Sequence, residues 1–388
     1  MSKETRQRKD LPRTAVRRPV SPQTSARQRP RKQTSDDTPP TLSVIDARME
    51  KRARLFSSSV RLMPMAALGI VVFTVLMIAM IILGKTGQLG ISLSYNVGVE
   101  EYGLFSILSI GLIPILTASV MILMFRPTSA YVLGLAPVTT SCVSASFAGF
   151  LIGMFIWCAT QLISTFDAVF VKYLALPAIW ENSLFYFGRT ALSSLTVLLA
   201  AVLMPAVSIE LLARGLIQQA FTLSGSHSFS SVVISSLFAL TFFDLNGLFI
   251  LILWGIVSFW IRHRTDSLIA SSLGTASFAL AMIFSRPIFT AFGQLLFRMP
   301  LIEVMKVRIF LTMCCLILAV LLLIPTSIIN EAGKRIADES KRLRDLKKNQ
   351  KRPGKGNWKS AVSPAAHYAL RIAAILCTAV LAAFMFLL

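Results

Sequence analysis

From residue 62 onward the chain reads as apolar runs separated by short polar breaks, and the runs are about 18 to 25 residues long, enough for a helix to cross a bilayer. Nine can be marked, at 65–83, 104–125, 141–163, 184–207, 230–243, 248–260, 267–284, 309–328 and 368–388. The pattern predicts an all-α fold, a polytopic transmembrane helix bundle of about nine spans. The fifth and sixth runs are short and flank "DLNG", whose Asn-Gly step is a turn signal, so they read as a tight helical hairpin. No internal repeat, heptad array or phosphate-cradling glycine loop is visible.

Composition agrees with this reading: 55% of the 388 residues are hydrophobic. A net charge of +21 raises the question of nucleic acid. The basic residues, however, concentrate at 1–61 and 334–359, as cytoplasmic flanks of membrane spans do. Residues 1–61 lack apolar periodicity and are expected to form a disordered basic cytoplasmic tail. A cleaved signal peptide is not expected, because the first apolar run begins only after Arg61. Within the tail, "ARMEKRARLFSSSVR" reads as a solvated stop before the first span, or as an amphipathic helix on anionic lipid.

The expected organisation is then the tail, a membrane domain at 62–333, a basic cytoplasmic loop at 334–365 and a last transmembrane helix at 366–388. Positive-inside bookkeeping puts the N-terminus, Arg126, Arg262 to Arg264 and the 334–359 segment in the cytoplasm and the C-terminus outside. Arg286, Arg298, Lys306 and Arg308 fall in an outside loop and count against that topology. The expected location is the plasma membrane. The partners are the lipid bilayer with its anionic headgroups and an unidentified membrane or cytoplasmic protein, rather than nucleic acid.

Cys142, Cys158, Cys314, Cys315 and Cys377 all lie in apolar runs, where a thiol behaves as a small hydrophobe. His227, His263 and His367 are not at ligand spacing, so neither a metal site nor a cofactor is implied. Chemistry is therefore sought among ionisable groups inside the spans, where charge is expensive. "SIELLARGLIQQAF" places Glu210 four residues before Arg214, the favourable order for pairing on one helix face. The apolar stretch around it is longer than one crossing requires, so either the helix tilts or Pro205 breaks it and leaves Glu210 near a helix start. The simplest role for Glu210 and Arg214 is an intramembrane ion pair that fixes one helix against another.

"PAVSIELLARGLIQ" resembles the first signature of the CPBP family, the intramembrane CAAX-protease and bacteriocin-processing proteins: a Glu-Glu pair, three residues, then Arg-Gly. "SSLFALTFF" resembles the second, Phe, three residues, His; "RTDSLIASSLGTASFAL" resembles the third, which ends in His, three residues, Asn. "LFILILWGIVSFWI" resembles the helix between them, and the likeness spans about 184–284. It implies a membrane-embedded metalloprotease core in which the first Glu and first His position the attacking water or metal, and the second His and the Asn stabilise the oxyanion. In this chain Ile209 stands at the first Glu, Phe242 at the first His, Thr275 at the second His and Ala279 at the Asn, while Glu210, Arg214, Gly215 and Phe238 match the frame.

Peptide hydrolysis needs an activated water, a base and oxyanion donors. Ile, Phe and Ala supply none of these, Thr275 offers one weak donor, and a guanidinium beside Glu210 makes that carboxylate a poorer base. Other candidates read as ordinary structure. Asp244 and Asn246 suit an exposed hairpin turn, His227 a polar loop, and His263 a cytoplasmic helix end. Ser235, Ser236, Ser271, Ser272, Thr275 and Ser277 suit close helix packing. The expectation is a noncatalytic membrane binding or regulatory protein. The alternatives are a residual CAAX-type peptidase using Glu210 with Asp244 or Thr275, and a transporter or lipid-handling protein binding a small anion near Arg214.

Overall fold

The computed structural model describes residues 42–85, 107–127, 132–134, 139–166, 176–181, 183, 190–223, 227–242, 244, 247–297, 304–349 and 364–387. The described elements are helices: α1 (Leu42–Lys85), α2 (Ile107–Phe125), α3 (Thr139–Ser164), the short α4 (Ala178–Glu181), α5 (Ala191–Phe221), α6 (His227–Ala239), α7 (Leu248–Thr265), α8 (Leu268–Phe297), α9 (Val304–Asn349) and α10 (Pro364–Leu387). Among the described residues β pairing is limited to one isolated bridge between Gly134 and Ser267. By contact the chain divides into Met1–Ile45 and Asp46–Leu388. Of the first unit only the opening residues of α1 are described, and the account below concerns the second.

Each of the nine apolar runs forms a helix. Among the described residues seven helical stretches are long and apolar enough to cross a membrane: Leu62–Gly84, Ile107–Phe125, Thr139–Ser164, Ala191–Phe221, Leu248–Thr265, Leu268–Gly293 and Met305–Asp338. Two more, Ser228–Phe242 and Tyr368–Phe384, are apolar but shorter. The sixth run is therefore a full-length candidate span, because "RHRT" continues its helix instead of ending it. In the fourth run Thr190 and Ser193 form a reciprocal capping box that starts a helix at Ala191, and 184–189 lie outside the described residues.

Two polar segments are drawn into helices. The expected tail lies outside the described residues as far as 41. From Leu42 the backbone is helical and runs into the first span, with Pro64 the first proline along it. The backbone of "ARMEKRARLFSSSVR" is thus helical. At the other end, α9 runs 46 residues without interruption to Asn349, into the segment expected as a cytoplasmic loop. At 1.5 Å per residue that is about 69 Å, well beyond the roughly 40–45 Å of a bilayer with its headgroups.

The most extensive interface joins α3 and α8, and small residues make it possible. A Cβ on Gly149 would fall inside the Gly274 carbonyl, and one on Gly153 would stand 2.7 Å from Ala281 Cβ. Ser146 and Ser277 share a 2.5 Å hydrogen bond across the same seam. Close backbone approach of this kind is how membrane helices associate when the solvent is as apolar as their side chains. Outside the core, α9 leaves Leu316 and Leu323 63% and 67% exposed, an apolar outer face suited to lipid.

The expected hairpin is formed by α6 and α7, which pack along each other and meet closely where Gly255 faces Ser235. Asp244 in its turn is buried rather than exposed, and its Oδ1 accepts from the Gly247 N–H at 3.1 Å; Asn246 lies outside the described residues. Arg262 is 1% exposed, donates to the carbonyls of Val132 (3.2 Å) and Leu133 (3.3 Å), and meets Asp266 at 3.7 Å. Gly134, at φ +82°, carries the backbone past the end of α7 at a place where a Cβ would overlap Asp266, and so brings those carbonyls to the guanidinium. His263 next to it is exposed, as its flanking position suggested.

Candidate functional site

The middle of α5 is wound more widely than an α-helix. Met204 N–H reaches Leu199 O and Gln218 N–H reaches Ala213 O, each five residues back, and π-helical turns run through Pro205–Ile217. Pro205 therefore neither ends nor breaks the helix: with the ladder already shifted to five-residue spacing, the chain passes through the ring without a stop. Most of this segment is buried, including Glu210 (3% exposed) and Arg214 (2%). Ser208 ties it to α2 by donating to Ile110 O at 2.5 Å.

Glu210 points to α7 and α8. Its Oε1 accepts from Ser258 Oγ at 2.6 Å and from Thr275 Oγ1 at 2.7 Å. Thr275 Oγ1 in turn accepts from Trp254 Nε1 at 3.2 Å. Arg214 Nη2 donates to the Gly255 carbonyl of α7 at 2.6 Å. The direct ion pair expected between Glu210 and Arg214 is not formed among the described residues. Each charge instead finds a partner on a neighbouring helix, since one turn of α7 offers a carbonyl to the guanidinium and a hydroxyl to the carboxylate.

Of the positions aligned with the resemblance, Thr275 is the one in direct contact with Glu210 among the described residues. The fully buried Ala279 follows one turn later on α8. Phe242, in the 3₁₀ turn closing α6, joins through aromatic rings: it lies 5.8 Å from Trp180, Trp180 lies 5.4 Å edge-on to Phe278, and Phe278 stacks on Trp254 at 4.1 Å. Trp180, on α4, is fixed by donating to Ala201 O at 2.9 Å. Ile209 is buried beside Glu210 in α5. His227 opens α6, so its backbone is helical rather than in a loop.

Sequence reasoning missed Ser258 and Trp254. Thr275→Val keeps the side chain's shape but removes the hydroxyl that links Trp254 to Glu210. It is expected to cost about 1–3 kcal/mol, the penalty for leaving a buried donor unpaired. The check is thermal unfolding in detergent, followed by dye labelling of the buried Cys158 and Cys314 thiols.

A catalytic divalent ion takes about three protein ligands and an open position. Ile209, Glu210, Phe242, Thr275 and Ala279 provide one carboxylate and one hydroxyl, both already bonded to each other. This donor set does not fit the metal that the resemblance implies, and no metal-assisted step is derived from it.

Residues 191–280 match a protein-family model described as Rce1-like, type II CAAX prenyl endopeptidase Rce1-like. The matched segment runs from the start of α5 into α8 and contains Glu210, Ser258 and Thr275. No curated protein and no solved structure matches the chain.

Proposed function

We propose that this integral membrane protein uses a CAAX-protease-like frame for noncatalytic binding or regulation within the membrane. The observation that carries the reading is the state of Glu210: its Oε1 is taken up by Ser258 and Thr275. Aromatic and aliphatic side chains stand where the resemblance has its remaining polar groups. A general base must reach the proton that it abstracts, directly or through one water. Here the hydroxyls facing Glu210 act as its donors, while Phe242 and Ala279 bring no proton-accepting or oxyanion-stabilising group. A bilayer-embedded protein that retains the frame without the chemistry is suited to holding a partner helix or a lipid-modified segment.

The test uses full-length protein purified in detergent or reconstituted in vesicles and incubated with prenylated peptides ending in a CAAX sequence. No cleavage above the rate without protein is expected. Cleavage that disappears in Glu210→Gln would overturn the proposal in favour of a residual peptidase. Flux of a small anion into vesicles, lost in Arg214→Met, would favour a transporter.

A further inference from the structure

The charges at the centre of α5 have more hydrogen-bonding capacity than the protein fills. Among the described residues Glu210 Oε2, Arg214 Nε and Nη1, and Ser235 Oγ are buried without a hydrogen-bond partner. All three side chains converge on one turn of α7. Glu210 bonds to Ser258, Arg214 bonds to the Gly255 carbonyl, and Ser235 of α6 approaches Gly255 so closely that a Cβ there would stand 2.7 Å from its Oγ. Glu210 is 3% exposed, Arg214 2% and Ser235 1%, so bulk water does not reach them.

Burial of an unpaired carboxylate oxygen and two guanidinium donors is heavily disfavoured in a low-dielectric interior. Direct pairing is the usual remedy, and it is not the one taken: the two groups stand beyond ion-pair distance although they are four residues apart on one helix. One water molecule bridges polar groups roughly 5 Å apart, since two hydrogen bonds of about 2.8 Å are then laid end to end. A buried water typically makes about three hydrogen bonds to polar groups that lack protein partners. The unfilled atoms here include acceptor, donor and hydroxyl.

We propose that the junction of α5, α6 and α7 is an internal hydration site, in which water donates to Glu210 Oε2 and accepts from Arg214, with the Ser235 hydroxyl as a third partner. The charges are then a solvent-separated pair in the interior of the helix bundle. The inference rests on the burial and partners of these groups and is independent of whether the frame is catalytic.

Hydroxyl-radical footprinting by brief X-ray exposure, read by mass spectrometry on full-length protein in detergent, tests it. Radicals generated from bound water oxidise adjacent side chains even where bulk solvent is excluded. Trp254, linked through Thr275 to Glu210, is expected to be oxidised far above the buried, apolar Phe73–Phe238 contact, whose rings lie 5.1 Å apart. The double variant Glu210→Leu/Arg214→Leu removes both charges and should lower oxidation of Trp254 several-fold. Continued protection of the buried Phe73 and Phe238 certifies its fold. Two results overturn the proposal: Trp254 labelled no more than Phe73 in the unaltered protein, or Trp254 labelling that persists in the folded double variant.

Discussion

Glu210→Leu is expected to destabilise the protein by about 3–5 kcal/mol, the range for removing one member of a buried charged pair and stranding the other. The substitution leaves the Ser258 and Thr275 hydroxyls without their acceptor and leaves Arg214 buried with no carboxylate beside it, its bond to the Gly255 carbonyl aside. Glu210→Gln retains an oxygen for both hydroxyls and loses only the charge. Its cost should be nearer 1–2 kcal/mol, the difference between charged and neutral hydrogen bonds. Thermal unfolding of the two variants in the same detergent distinguishes these outcomes. Equal losses would mean that the carboxylate matters only as a charge and that the two hydroxyls contribute little.

Gly149→Leu is expected to abolish the native fold, and Gly149→Ala to cost about 3 kcal/mol, at the top of the range for overpacking a tight interior. The reason lies in what the added atoms meet. Most overpacked sites relax by moving a flexible side chain, but Gly149 faces the backbone of Gly274, so α3 and α8 must separate along their length. Separation would break the Ser146–Ser277 bond and shift Thr275, the residue after Gly274, away from Glu210. The measurement is the yield of monodisperse protein after detergent extraction, with unfolding temperature for the Ala variant. A Gly149→Ala protein as stable as its parent would show that α3 and α8 do not approach as closely as described.

The helical elements were legible because each is written locally. A bilayer-length apolar run needs no partner to declare itself, and all nine runs form helices. Their ends were less legible: a capping box at Thr190 starts one helix inside its run, and helix-compatible polar residues prolonged α1 and α9 beyond their apolar parts. The site was half legible. Glu210 and Arg214 stood out because charge is costly in an apolar run, and the likeness to protease signatures pointed to Thr275, which does contact Glu210.

The partners of those residues were another matter. Spacing along α5 suggested that Glu210 would pair with Arg214, yet α7 supplied Ser258 to one and the Gly255 carbonyl to the other. Serine and glycine are common in membrane helices for packing reasons, so neither carried a signal in one dimension. Asp244 looked like a surface residue of a turn, and it is buried, as is Arg262 at the end of α7.

The sequence by itself determined the class of the protein, a helical membrane bundle, and singled out the two charges at its centre, because hydropathy and the cost of intramembrane charge act residue by residue. The tertiary structure alone decided what those charges do. Hydrogen-bond partners 41 to 65 positions apart are chosen by which helix faces meet. Those faces are set by close contacts of small residues that hydropathy does not register.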